Sequence, residues 1–156
     1  MKIQALHIAM ISIATIGITA CATAQGFTFT STNSDQTQIG MAPGEGPSAG
    51  TWTSASTARF ADGSTITSTS NCVSMSQPPN NTLFAMHSFC DGTSEAGDWT
   101  LVMGCSPMGD DSGRLACVGT LIGKTGDFEG RQGGISFMGD GDTSTGSGQW
   151  YAKAPA

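Results

Sequence analysis

The chain is poor in charge, histidine and helical pattern, and each shortage narrows what it can be. Only 12% of its 156 residues are charged, six basic against twelve acidic, giving a net charge of −6. An acidic surface with so few cations repels phosphate backbones and anionic lipid heads, so no nucleic-acid partner is expected. Low charge also argues against disorder, which couples low hydrophobicity to high charge. Beyond the leader no useful stretch repeats apolar residues at helical spacing. No His-Glu-x-x-His or P-loop pattern is present, which removes the commonest metallopeptidase and nucleotide signatures. There is no internal repeat and no sign of a second domain.

The amino terminus carries a clear signal. Lys2 precedes an uncharged apolar run from Ala5 to Ile18, and small residues then end in Ala22-Thr23-Ala24. A basic start, a short apolar core and an A-x-A site make a secretory signal peptide over residues 1–24. The run falls short of the about 20 apolar residues that span a bilayer. Ile18-Thr19-Ala20-Cys21 supports a second reading, a lipoprotein signal over 1–20 with Cys21 as the lipidated first residue. The A-x-A reading gives a periplasmic or extracellular product. The lipobox reading gives a membrane-anchored one, and only then is a membrane a partner. Residues 25–156 form one domain in either case, long enough for a real core.

Four cysteines follow the leader: Cys72, Cys90, Cys105 and Cys117. An even count in an exported chain of this size reads as two disulfides, with three connectivities open. A zinc site fits poorly, because there is no C-x-x-C and His87 is the one histidine beyond the leader. No cofactor is expected.

The pattern past residue 24 is that of short strands and many turns. Phe27 and Phe29 alternate with Thr28 and Thr30, the period of a half-buried strand, in 25–32. A polar Gly/Pro-bearing stretch, 33–50, reads as a long flexible loop. Strands are expected over 51–59, 64–74, 82–90, 98–106, 114–122, 128–138 and 148–152, separated by turn clusters such as Ser76-Gln77-Pro78-Pro79-Asn80-Asn81. Asn80-Asn81-Thr82 is a glycosylation sequon, but beside a lipobox-like leader it reads as turn chemistry. About eight strands with hairpin-length links make an all-β fold, a sandwich or an up-and-down barrel. Gly130, Gly133 and Gly134 inside a strand favour a single antiparallel up-and-down barrel, disulfide-bonded. A hairpin centred on Asp111 sets Cys105 opposite Cys117, which leaves Cys72 for Cys90.

Ile122-Gly123-Lys124-Thr125-Gly126-Asp127-Phe128-Glu129-Gly130-Arg131-Gln132-Gly133 resembles the T-G-x-F-x-G-x-x-G strand motif of the allene oxide cyclase-like barrels, relatives of the dirigent proteins. Cys117-Val118-Gly119-Thr120 and Gly146-Ser147-Gly148-Gln149-Trp150 fit the same closing hairpin, so the resemblance covers about residues 113–152. Lys124 departs from it, where relatives usually have a second glycine. The resemblance implies an eight-stranded barrel with an apolar cavity, Phe128 filling the interior, and a homo-oligomer, since several relatives are trimers. The motif itself carries no catalytic residue.

Candidate chemistry is thin. In 82–90 His87 shares its parity with Leu83, Ala85 and Phe89, which suggests a cavity-facing side; it is the candidate general acid or base, with a satisfied core histidine as the plainer reading. Leu83, His87, Phe89 and Phe128 are the candidate ligand contacts. Glu129 reads as an outer-face carboxylate and Asp98 as a turn cap. Asp140 and Asp142 alternate as calcium ligands do, but Thr145 stands where such loops need glycine and Tyr151 where they need glutamate, so a hairpin loop is the simpler reading. The same holds for Asp110 and Asp111. The leading expectation is an exported, non-enzymatic barrel that binds a small apolar ligand or serves the cell envelope. A cyclase or isomerase like the named relatives and a lipid-anchored surface or adhesion protein are the alternatives.

Overall fold

The computed structural model describes residues 24–41, 46–76 and 83–153. Cys21 and the leader expectations for residues 1–23 lie outside the described residues, as does the sequon threonine, Thr82. Eight antiparallel strands close into one barrel in chain order, each paired with the next and β8 with β1. They are β1 Gln25–Gly40, β2 Ser48–Phe60, β3 Thr65–Ser76, β4 Met86–Ser94, β5 Gly97–Pro107, β6 Leu115–Gly123, β7 Gln132–Gly139 and β8 Thr143–Trp150. A single 3-10 turn, Gly126–Phe128, interrupts the β6–β7 connection. The chain is therefore all-β, and closure leaves no free sheet edge around the barrel.

Both disulfides are present, Cys72–Cys90 and Cys105–Cys117. Each joins directly opposed residues of neighbouring strands, β3 to β4 and β5 to β6. The Cα atoms are 4.1 Å apart in both, the close spacing of non-hydrogen-bonded cross-strand pairs. Direct opposition thus brings the sulfurs together without displacing the ladder. Disulfides of this kind point to an oxidising compartment. Among the described residues no helix is long and apolar enough to cross a membrane.

The stretch 33–50 is strand for most of its described length, which corrects the expectation of a loop. From Asn33 onward β1 pairs with β2 alone, after β8 has ended opposite Thr32 at Thr143. The pairing runs on to Gly40 opposite Ser48, with an irregularity between Ser34 and Thr37 where Asp35 adopts a left-handed φ of 51°. These residues alternate no apolar side chains because the extension has no core beneath it. What holds it extended is the ladder to β2, together with Asn33 Nδ2 donating to the Gly141 carbonyl at 2.8 Å. β1 and β2 form a two-stranded arm beside one mouth of the barrel.

The opposite end is plugged. Phe128, carried by the 3-10 turn instead of a strand, lies inside and stacks on Trp150, with ring centroids 4.6 Å apart. Phe27 meets Phe60 at 5.5 Å beside them. Gly126 makes this turn possible: it has φ +62°, and a Cβ there would strike the Ala96 carbonyl. Phe27 in turn lies over Gly148, where any side chain would collide with its ring.

Candidate functional site

The barrel is hollow above that floor. Eight strands enclose a space that side chains can just fill or that can hold one small ligand, and the size of the inward residues decides which. Here the inward positions of β2 and β3 include Ser54, Ser56, Ser68, Ser70, Ser74 and Ser76, while Thr65, Thr67 and Thr69 face out. Small hydroxyl residues on one side leave a cavity of about 950 Å3 open towards the arm. That lies at the upper end of the range for small-molecule sites.

The cavity has two unlike walls. Opposite the serines, β5, β6 and β7 contribute Leu101, Met103, Leu115, Leu121, Ile135 and Phe137. Both disulfides also line it, so the buried core of the protein is this wall and the floor, not a filled centre. On the other wall Ser56 and Ser68 share a hydrogen bond of 3.0 Å, and Ser70 makes only a long contact to Cys72 Sγ at 3.8 Å. Ser88, on β4 between Met86 and Cys90, is completely buried and its hydroxyl finds no partner in the protein.

None of the described residues lining the cavity is Asp, Glu, His, Lys or Arg. Among the described residues the lumen thus presents no carboxyl, imidazole or amine side chain. The charges sit at the ends and outside. Asp110, Asp111, Asp140 and Asp142 lie in the strand ends and turns around the open mouth, against Arg114, which pairs with Asp110 at 2.9 Å, while Asp35 lies within β1 on the outer face.

The candidate residues read from the sequence divide sharply. Phe128 lines the cavity floor. His87 and Phe89 do not line it, and the inward placement expected for them is corrected. Cys90 must face inward to reach Cys72, so Met86 and Ser88 face in with it while His87, Phe89 and Asp91 face out. Phe89 is 54% exposed between Val73 and Val102, and Leu83, before β4 begins, is 84% exposed. His87 packs edge-on against Phe84, 5.5 Å between centroids, and its Nδ1 is buried without a partner. Leu83, His87 and Phe89 thus belong to an apolar outer surface, not to the lumen.

The acidic candidates are engaged in turns. Asp140 accepts from the backbone and hydroxyl of Thr143, at 3.1 and 2.7 Å, and this holds its carboxyl below the usual range. Asp142 accepts from Gln36 Nε2 at 3.2 Å, tying the arm to the β7–β8 turn. Asp110 is lowered chiefly by the Ser112 hydroxyl, then by Arg114. Asp98 accepts from Thr93 Oγ1 at 2.7 Å, and Glu129 is exposed. Among the described residues no group of three or more His, Cys, Asp or Glu side chains is gathered as a metal site.

The serine wall is absent from the sequence expectations, although its signal is present in the sequence. If Cys72 faces inward, then Ser68, Ser70, Ser74 and Ser76 share its parity, and the threonines between them face out. The same disulfide would have turned His87 outward. Against family models, curated proteins and solved structures, the chain finds no match.

Proposed function

We propose that this is an exported carrier or receptor barrel that binds one small, largely apolar molecule in its lumen. The observation that carries the reading is the 950 Å3 cavity, floored by aromatic rings and lined by no ionisable side chain among the described residues. A concave, mostly apolar space with a few convergent polar groups is the usual form of a small-molecule site. The two disulfides and the Lys2 to Ala24 leader support export. A cyclase or isomerase needs a proton-handling group at the substrate, and the lumen offers none among the described residues. Envelope attachment through Cys21 is compatible with ligand binding and would keep the same barrel at a membrane surface.

Titration with the uncharged fluorophore N-phenyl-1-naphthylamine tests the reading. It should bind saturably at one per chain, with enhanced emission. Ser70→Phe or Ser54→Phe, which each project a ring into the hollow, should abolish that uptake in a folded protein, whereas Phe89→Ser on the outer surface should not. No saturable uptake, or uptake lost in Phe89→Ser and kept in both lumen variants, would remove the lumen as the site.

A further inference from the structure

The two walls and the charge at the mouth say more about the ligand than that it is apolar. We infer that the lumen selects an uncharged amphiphile, a molecule with an apolar body and oxygen-bearing groups along one edge, and that it rejects carboxylates. The inference rests on the binding reading above and narrows the class of ligand.

The apolar body has its place against Leu101, Met103, Leu121, Ile135 and Phe137, with the Phe128–Trp150 stack beneath. A purely apolar ligand would leave the opposite wall dry, with Ser56 and Ser68 paired to each other but Ser70 holding only its long contact to Cys72 Sγ. Ser54 and Ser70 line the cavity and are 8% and 4% exposed. A hydroxyl desolvated without a partner is destabilising, so a ligand that offers oxygens on that side is favoured over one that does not. Serine hydroxyls donate and accept, which suits alcohols and carbonyls alike.

A carboxylate meets the opposite conditions. No Lys, Arg or His lines the cavity among the described residues to compensate its charge. Burying an unpaired carboxylate is far more costly than burying a hydroxyl. It must also pass the aspartates around the mouth, where Arg114 is already paired with Asp110. A fatty acid therefore fits this barrel poorly, while an alcohol, sterol-like or ketone-bearing molecule of similar size fits well.

Three probes that share one ring system separate the terms: 1-butylpyrene, 1-pyrenebutanol and 1-pyrenebutyrate, titrated into the oxidised protein at neutral pH. The alcohol should bind at least about tenfold more tightly than the carboxylate, since a tenfold ratio needs only about 1.4 kcal/mol. The double variant Ser54→Ala/Ser70→Ala should weaken the alcohol about tenfold and leave 1-butylpyrene within about twofold. Carboxylate binding equal to or tighter than that of the alcohol would overturn the inference while leaving the lumen as a binding site. Equal weakening of alcohol and hydrocarbon by the serine substitutions would show the serine wall to be structural only, and would overturn it too. Failure of all three probes to bind would instead count against the lumen site itself.

Discussion

The β2–β3 side of the barrel and the β5–β7 side are built from the same kind of strand and do opposite things. One turns serine inward at Ser54, Ser56, Ser68, Ser70, Ser74 and Ser76, so apart from Trp52 and the residues near the floor its inner surface is small and polar. The other turns Leu101, Met103, Leu121 and Phe137 inward and contributes most of the buried apolar side chains, with Cys105–Cys117 within it. The difference separates stability from binding: the apolar side and the floor hold the fold, and the serine side leaves the space. Substitutions should respond accordingly.

The largest effect is expected at the floor, where the apolar side is sealed. Phe128 and Trp150 are 5% and 3% exposed and stacked on one another. Phe128→Ala or Trp150→Ala should each cost about 3–5 kcal/mol in urea unfolding, with the midpoint shifted and the slope little changed. A cost below about 1 kcal/mol would mean that the floor is not part of the core.

Next come the disulfides. They close loops spanning sequence separations of 18 and 12, so each should stabilise the fold by about 3 kcal/mol through the unfolded chain. Replacing either pair by alanines should lower the melting temperature by roughly 10 °C. Because both pairs face the lumen, loss of either should also loosen ligand binding, a coupling that surface disulfides would not show.

The serine side should behave differently. Leu101→Ala should cost about 2 kcal/mol or more, whereas Ser70→Ala should leave unfolding within about 1 kcal/mol and appear mainly in the affinity for hydroxylated probes. If Ser70→Ala destabilises as much as Leu101→Ala, the contrast between the walls fails.

Much of this contrast was legible beforehand. The strand number and Cys105–Cys117 follow from alternation, turn residues and the hairpin centred on Asp111, because those signals are local, and Cys72–Cys90 follows by elimination. The preference for a barrel over a sandwich rests on Gly130, Gly133 and Gly134, of which Gly130 lies outside β7. The face of β4 was not read correctly, since Leu83, His87 and Phe89 look like a core stripe while the truly inward residues are Met86, Ser88 and Cys90. Closed barrels expose apolar side chains outside as well, and hydropathy alone cannot tell the faces apart; the covalent tie from Cys90 to Cys72 can. The arm over Asn33–Gly40 was hidden for a related reason. Its strand character comes from pairing with β2, and polar side chains suffice where no core lies beneath.

The smallest expected effect is that of pH. Asp62, Asp91, Asp110 and Asp140 have carboxyls lowered from 3.8, first by side-chain hydrogen bonds from Ser64, Thr100, Ser112 and Thr143 respectively. A carboxyl lowered in the folded state contributes stability above its unfolded pKa and loses it as pH falls through the folded value. Unfolding midpoints should therefore be flat from neutrality to about pH 4 and decline only below it. All four groups are exposed, so the decline should be shallow. Affinity for an uncharged probe should not change between about pH 5 and 9, because no group lining the lumen titrates there among the described residues.

The most direct test uses the tryptophans. Trp52, Trp99 and Trp150, the three in the chain, all line the cavity. An uncharged brominated alcohol such as 10-bromodecan-1-ol carries a heavy-atom quencher into whatever site it occupies. If the hollow between the two walls is the binding site, tryptophan emission should fall saturably with one equivalent bound, and Ser70→Phe should abolish the saturable phase. Quenching that rises linearly without saturation, or that saturates equally in wild type and Ser70→Phe, would contradict it.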